Sequence, residues 1–174
     1  MNKRINNVTL AALLTATICI SSMLSVNIIG VSFSLALFGV FLSGLILKPI
    51  YALISNVVFI LIGVVGLPVF ANFNSGIGTI LGPSGGFILS YPFVALIVSL
   101  LNIKFSQSFK KQYVYCFVSL LLCYILGTVW YSAVYKCSMK QALLVCVVPF
   151  ILIDITKIFL SCYVAKIISN HIKK

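Results

Sequence analysis

Residues 149–164 read PFILIDITKIFLSCYV, an apolar stretch that holds the only acid of the chain, Asp154, with Lys157 three residues further on. At the centre of a membrane helix a carboxylate costs roughly 2.5–3.5 kcal/mol, and a lysine costs about as much. A sequence that keeps both within such apolar text has to bury them against each other and against protein. Three residues apart they share one face of a helix and can meet. That face is therefore expected to point into a helical bundle.

The text on either side has the same character. The chain of 174 residues is 62% hydrophobic and 7% charged, with a mean hydropathy of +1.24, whereas soluble domains carry roughly a quarter charged residues. Each bilayer crossing needs about 20 apolar residues. Apolar runs near Val8–Asn27, Phe33–Leu47, Ile50–Gly66, Gly86–Ile103, Tyr113–Tyr135 and Pro149–Ser169 predict an all-α membrane protein, a compact bundle of six transmembrane helices forming a single domain over 1–174. Pro49 disfavours helical geometry at Lys48 and donates no backbone hydrogen bond, which predicts a tight helical hairpin there. Met1–Arg4 and the apolar run after it resemble a secretory leader, but no convincing small-residue cleavage site follows, so the run is read as the first span.

The formal charge of +11 comes from twelve basic residues and one acid. In a soluble protein that balance raises the question of nucleic-acid binding; here the basic residues sit mostly between spans and mark topology. With the N-terminus inside, Lys3, Arg4, Lys48, Lys104, Lys110, Lys111, Lys166, Lys173 and Lys174 fall on the cytoplasmic side and only Lys136 and Lys140 outside. Both termini are therefore expected in the cytoplasm of a multi-pass protein of the cell (inner or plasma) membrane, with anionic lipid as the neighbour of its loops. No nucleic-acid partner is expected.

Residues 66–86, GLPVFANFNSGIGTILGPSGG, hold six of the eleven glycines and no charge. Non-helical backbone near the membrane persists only where protein or a water-filled cavity satisfies its polar groups. One reading of 67–85 is a plain loop folded over the mouth of the bundle; the other is an outer glycine-rich loop whose backbone forms part of a ligand site.

Several chemistries fall away. Gly82-Pro83-Ser84-Gly85-Gly86 fits the G-x-S-x-G pattern of a nucleophile elbow, but a serine nucleophile needs a base within hydrogen-bond reach. The only histidine, His171, belongs on the opposite side, about 30 Å away. No GxxxxGK[ST] sequence occurs, so any energy for transport comes from a partner or a gradient. The six cysteines are scattered through apolar text without metal-ligand spacing and read as buried small side chains. No enzyme activity, metal or cofactor is expected. An uncommitted reading of Asp154 remains, a proton or cation relay in an autonomous secondary transporter of a small solute. A third is a buried ion pair that only stitches helices together. In the first span, Ala12-x-x-x-Ala16 lets another helix approach closely.

Four blocks carry a resemblance: GLPVF at 66–70, LGPSGGF at 81–87, LGTVW at 126–130 and PFILIDITK at 149–157. In order and spacing they resemble the BioY family, the substrate-capture (S) component of energy-coupling-factor (ECF) transporters for biotin. The likeness runs from about Val31 to Ala165. It departs where Ser32 and Ala36 replace the family's Pro and Gln, where Leu152-Ile153 precede Asp154, and where Ala71–Gly76 stand for a run of glycines. The resemblance implies a protein that captures biotin from the outer face and passes it inward together with a transmembrane coupling subunit and ATPase subunits. It implies biotin contacts from Asp154 and Lys157, closure over the ligand by Asn74 and the glycine-rich loop, a flank for the ring from Phe73 or Tyr91, and a coupling-subunit contact at Ala12 and Ala16.

Overall fold

The structure, a computed structural model, describes residues 3–28, 31–105 and 108–172. Its element order is α1 (Lys3–Met23), β1 (Ser25–Ile28), β2 (Val31–Ser34), α2 (Ala36–Ile46), α3 (Pro49–Val64), α4 (Ile77–Leu81), α5 (Gly85–Lys104), α6 (Phe109–Tyr135), α7 (Met139–Cys146) and α8 (Ile151–Ile172). Three helices, α1 from Ile5, α5 and α6, are long and apolar enough to cross a bilayer. The pair α7 and α8, bent by 52° at the break between them, makes a fourth such segment only when counted as one broken span, and α2 and α3 are shorter apolar helices.

The expected spans lie within a few residues of α1, α2, α3, α5, α6 and α8. The largest differences have identifiable causes. The first helix stops at Met23 instead of Asn27, and the second starts at Ala36 instead of Phe33. The intervening SVNI and VSFS pair as an antiparallel ribbon in the register Ser25↔Ser34 to Ile28↔Val31. Val26, Ile28, Val31 and Phe33 are β-branched or aromatic types that favour strands, and their hydropathy alone cannot be told from helix text. The second addition is α7, opened by a capping box in which Ser138 and Gln141 satisfy each other's backbone N–H groups. Pro149 lies in the turn between α7 and α8 and not inside either helix.

Helix α2 is the centre of the bundle. It packs against α1, α5 and α8 and buries every residue except Phe38 and Ile46. Its far end is closed by side chains from its neighbours: Ser99 donates to the Leu47 carbonyl (2.6 Å) and Asn102 to the Leu45 carbonyl (2.9 Å), while Gln112 donates to Asn102 (3.1 Å). Those carbonyls belong to the last turn of a helix, where no intrahelical partner exists. Lys48 then sits exposed as the cap of α3, and Pro49 occupies the first helical turn, where its missing N–H is not needed. The up-and-down connectivity gathers Lys48, Lys104, Lys110, Lys111 and Lys166, all exposed, at the end of the bundle away from residues 65–84.

Candidate binding cavity

Residues 65–84 are compact and mostly irregular, broken only by a 3-10 turn at Ala71–Phe73 and the short helix α4. Phe70 is wholly buried beneath them, edge-on to Phe59 at 5.5 Å, and Phe59 stacks on Tyr91 at 6.4 Å. This aromatic stack roots the loop in the bundle. Gly63 permits it, because a Cβ there would overlap the Phe70 ring. At the other end of the loop the Trp130 indole N–H donates to the Gly82 carbonyl (2.9 Å). Between these anchors Asn72 and Phe73 both adopt positive φ, 56° and 58°, a conformation asparagine tolerates and phenylalanine rarely adopts. Ser25 holds Asn72 there: the Asn72 backbone N–H donates to Ser25 Oγ (2.6 Å), and the Ser25 hydroxyl donates to Asn72 Oδ1 (3.0 Å). The loop and the β-ribbon are thus tied into one cover.

Under that cover lies a cleft with about 720 Å³ of non-protein space, its open mouth included. The loop side contributes Ala71, Asn74, Thr79 and Ser84. Helix α5 contributes Phe87, Ile88 and Tyr91, and α1 and the ribbon contribute Ser22 and Ser34. The wall is completed by Tyr124 of α6, Cys146 of α7, and Phe150, Asp154 and Lys157 at the start of α8.

The polar centre of the cleft is built on Asp154. It is 2% exposed, and its Oδ1 meets Lys157 Nζ at 2.9 Å, the i,i+3 pairing that the sequence spacing predicts. Its Oδ2 accepts from the Tyr124 hydroxyl at 2.5 Å. Lys157, 3% exposed, also donates to the Ser34 carbonyl at 2.6 Å, tying α8 to the ribbon. Asp154 lies in the first turn of α8, where the helix dipole favours a negative charge. A buried carboxylate with two donors and the positive end of a helix dipole is well held, whereas a buried carboxylate without them would not be.

The site residues expected from sequence are placed as follows. Asp154, Lys157, Asn74 and Tyr91 all line the cleft. Phe73, beside Asn74 in the chain, is 64% exposed and lies outside the lining. Ala12 and Ala16 sit elsewhere, exposed on α1, on the floor of an apolar groove completed by Ile54, Val58 and Ile62 of α3. Ser84 borders the cleft as the residue that caps α5, a loop-to-helix junction without the strand of a nucleophile elbow. Tyr124, Ser34 and Cys146 were not marked by the sequence. The one available clue to Tyr124 was stoichiometric, since a buried carboxylate has two oxygens to satisfy and Lys157 accounts for one.

The BioY family model matches residues 1–174. The chain belongs to the BioY family. Among members of this family, the probable biotin transporter BioY of Pyrococcus horikoshii is 33% identical over 159 residues, covering 91% of this chain and 93% of that protein. The biotin transporter BioY of Thermotoga maritima is 32% identical over 155 residues, covering 89% and 90%. Among solved structures, the S-component for biotin from an ECF-type ABC transporter superposes with a TM-score of 0.89 at 25% identity, covering 98% of this chain and 95% of that one. As a BioY family member with three helices among its described residues long and apolar enough to cross a bilayer, or four such segments where the bent α7–α8 pair counts as one, this is an integral membrane protein.

Proposed function

We propose that this protein is the substrate-binding component of a biotin transporter, taking biotin from the outer face of the cell membrane into the cleft around Asp154 and Lys157. The observation that carries this reading is the cleft itself, a chamber of apolar and uncharged polar side chains whose only charged groups among the described residues are a neutralised pair, in a fold shared with an S-component for biotin. Biotin offers an apolar ring and tail, two ureido N–H donors, a ureido oxygen and a carboxylate. Asp154 accepts a ureido N–H, and Lys157 donates to the ureido oxygen or to the carboxylate. Tyr91 flanks the ring, Asn74 closes over it from the loop at 67–85, and Phe73 reaches it from the rim.

In this reading α1, α2, α3, α5, α6 and α8 are six transmembrane helices, with both termini and the lysine-bearing end in the cytoplasm. The chain carries no nucleotide-binding sequence of its own. Inward passage therefore depends on a transmembrane coupling subunit and ATPase subunits of the ECF type, seated on the Ala12–Ala16 groove. The exposed small residues there suit close approach of a partner helix.

The test is equilibrium binding of biotin to the purified protein, with Asp154→Asn and Lys157→Ala measured beside it. Saturable binding by the parent and its loss in both variants is the expected result. No saturable binding by the parent refutes the function, and undiminished binding by both variants refutes the site.

A further inference from the structure

The hydrogen bond between Tyr124 and Asp154 fixes more than a side-chain position. A tyrosine hydroxyl has one hydrogen, and here it is committed to Asp154 Oδ2. A carboxylate in an ion pair has none. Both residues line the cleft, so what they have left to offer an occupant is acceptor lone pairs. Two acceptor oxygens 2.5 Å apart attract N–H donors and repel a carboxylate. Tyr124 comes from α6 and is 8% exposed, and the 2.5 Å contact fixes where Asp154 Oδ2 can lie relative to the cleft.

We infer that Tyr124 is a positioning and specificity-determining residue of the binding site, orienting the Asp154 carboxylate so that the Asp154–Tyr124 end of the cleft accepts an N–H-bearing head group and excludes a carboxylate. This rests on the biotin reading above, in which Asp154 accepts a ureido N–H, and extends it by giving the Tyr124 hydroxyl the role of aiming that acceptor. The role belongs to the hydroxyl, because it is the hydroxyl that bonds Asp154.

The experiment uses full-length protein in detergent or nanodiscs and measures biotin and desthiobiotin binding, directly and by competition, for the parent and Tyr124→Phe. Desthiobiotin keeps the ureido head and lacks the sulfur ring. Tyr124→Phe is expected to lose about tenfold or more in affinity, the worth of one hydrogen bond to a charged group. The loss is expected to be the same for both ligands, with the melting temperature little changed. In an Asp154→Asn background the further loss from Tyr124→Phe is expected to shrink to about twofold or less, because a positioning residue acts through its partner. Parent-like binding by Tyr124→Phe overturns the inference, as does a loss confined to biotin, which would mean that the ring packs against the sulfur heterocycle. Failure of Tyr124→Phe to fold overturns it too, making the hydroxyl a requirement of the fold. If the parent binds neither ligand, the biotin reading itself fails and the inference falls with it.

Discussion

Replacing Lys157 by methionine removes a cation while keeping most of the apolar volume, and its cost follows from what Lys157 touches. The Asp154 carboxylate, 2% exposed, would keep only Tyr124, and the Ser34 carbonyl would lose its donor. Stranding one member of a buried ion pair costs about 3–5 kcal/mol. For a chain of this size that lowers the apparent melting temperature by roughly 6–20 °C. Replacing both members, Asp154→Leu with Lys157→Met, leaves no buried charge. It does leave the Tyr124 hydroxyl and the Ser34 carbonyl without partners, at about 1–3 kcal/mol each. Against this stands the relief of desolvating two ions, which makes apolar replacement of whole pairs neutral or stabilising by about 1–4 kcal/mol. The double variant is therefore expected to melt above the single one, and adding Tyr124→Phe should raise it further by removing one orphan. The assay is thermal unfolding at a fixed heating rate and fixed detergent, with biotin binding measured on the same samples; all three variants should lose the ligand. A single variant as stable as the double would refute the reasoning, because Asp154 would then not depend on Lys157 for its tolerance in the bundle.

Other consequences are as specific. Gly63→Ala places a methyl group against the Phe70 ring. An overpacking cost of about 1–3 kcal/mol is expected, seen as a lower melting temperature and faster proteolysis within residues 65–84, with partial recovery in Gly63→Ala/Phe70→Leu. Cys146 borders the cleft and Cys137 does not. In single-cysteine variants, saturation at 100 Kd of biotin should slow alkylation of Cys146 by about 100-fold, if the bound form does not react, and leave Cys137 unchanged. Equal protection of both thiols would contradict the position of the cleft. Ala12→Trp and Ala16→Trp fill the α1–α3 groove and should abolish co-purification with the coupling subunit while biotin binding by the isolated protein persists.

The all-helical, membrane-embedded character of the chain was readable because apolar runs of this length have one stable fate in lipid, with backbone groups satisfied inside each helix. The same reasoning failed at 24–35, where short apolar text is shared by strands and helices, and at 139–146, where α7 is too short and too polar to register as a span. Its signature was local, a serine and a glutamine at capping spacing. The Asp154–Lys157 pair was legible since both members lie on one helix, so spacing alone implies contact. Phe73, for which the resemblance implied a flank for the ring as the alternative to Tyr91, carries its ring exposed at the backbone turn at 72–73.

What the sequence determined by itself was a membrane bundle, its anomalous acid, the partner of that acid one turn away, and a glycine-rich break that no helix could continue. Each is a local property, set by hydropathy, helical periodicity or the cost of an isolated charge. Only the tertiary structure decided that Tyr124, 30 positions earlier, completes the carboxylate, that the Ser34 carbonyl, 123 positions earlier, takes the lysine, and that Ser25 pins the cover loop at Asn72. These contacts join different elements, and nothing in the spacing of residues along a chain records which helix face lies opposite another. Once α6, the ribbon and α8 are packed together, each hydrogen bond is available at the cost of ordering a side chain that burial has already ordered.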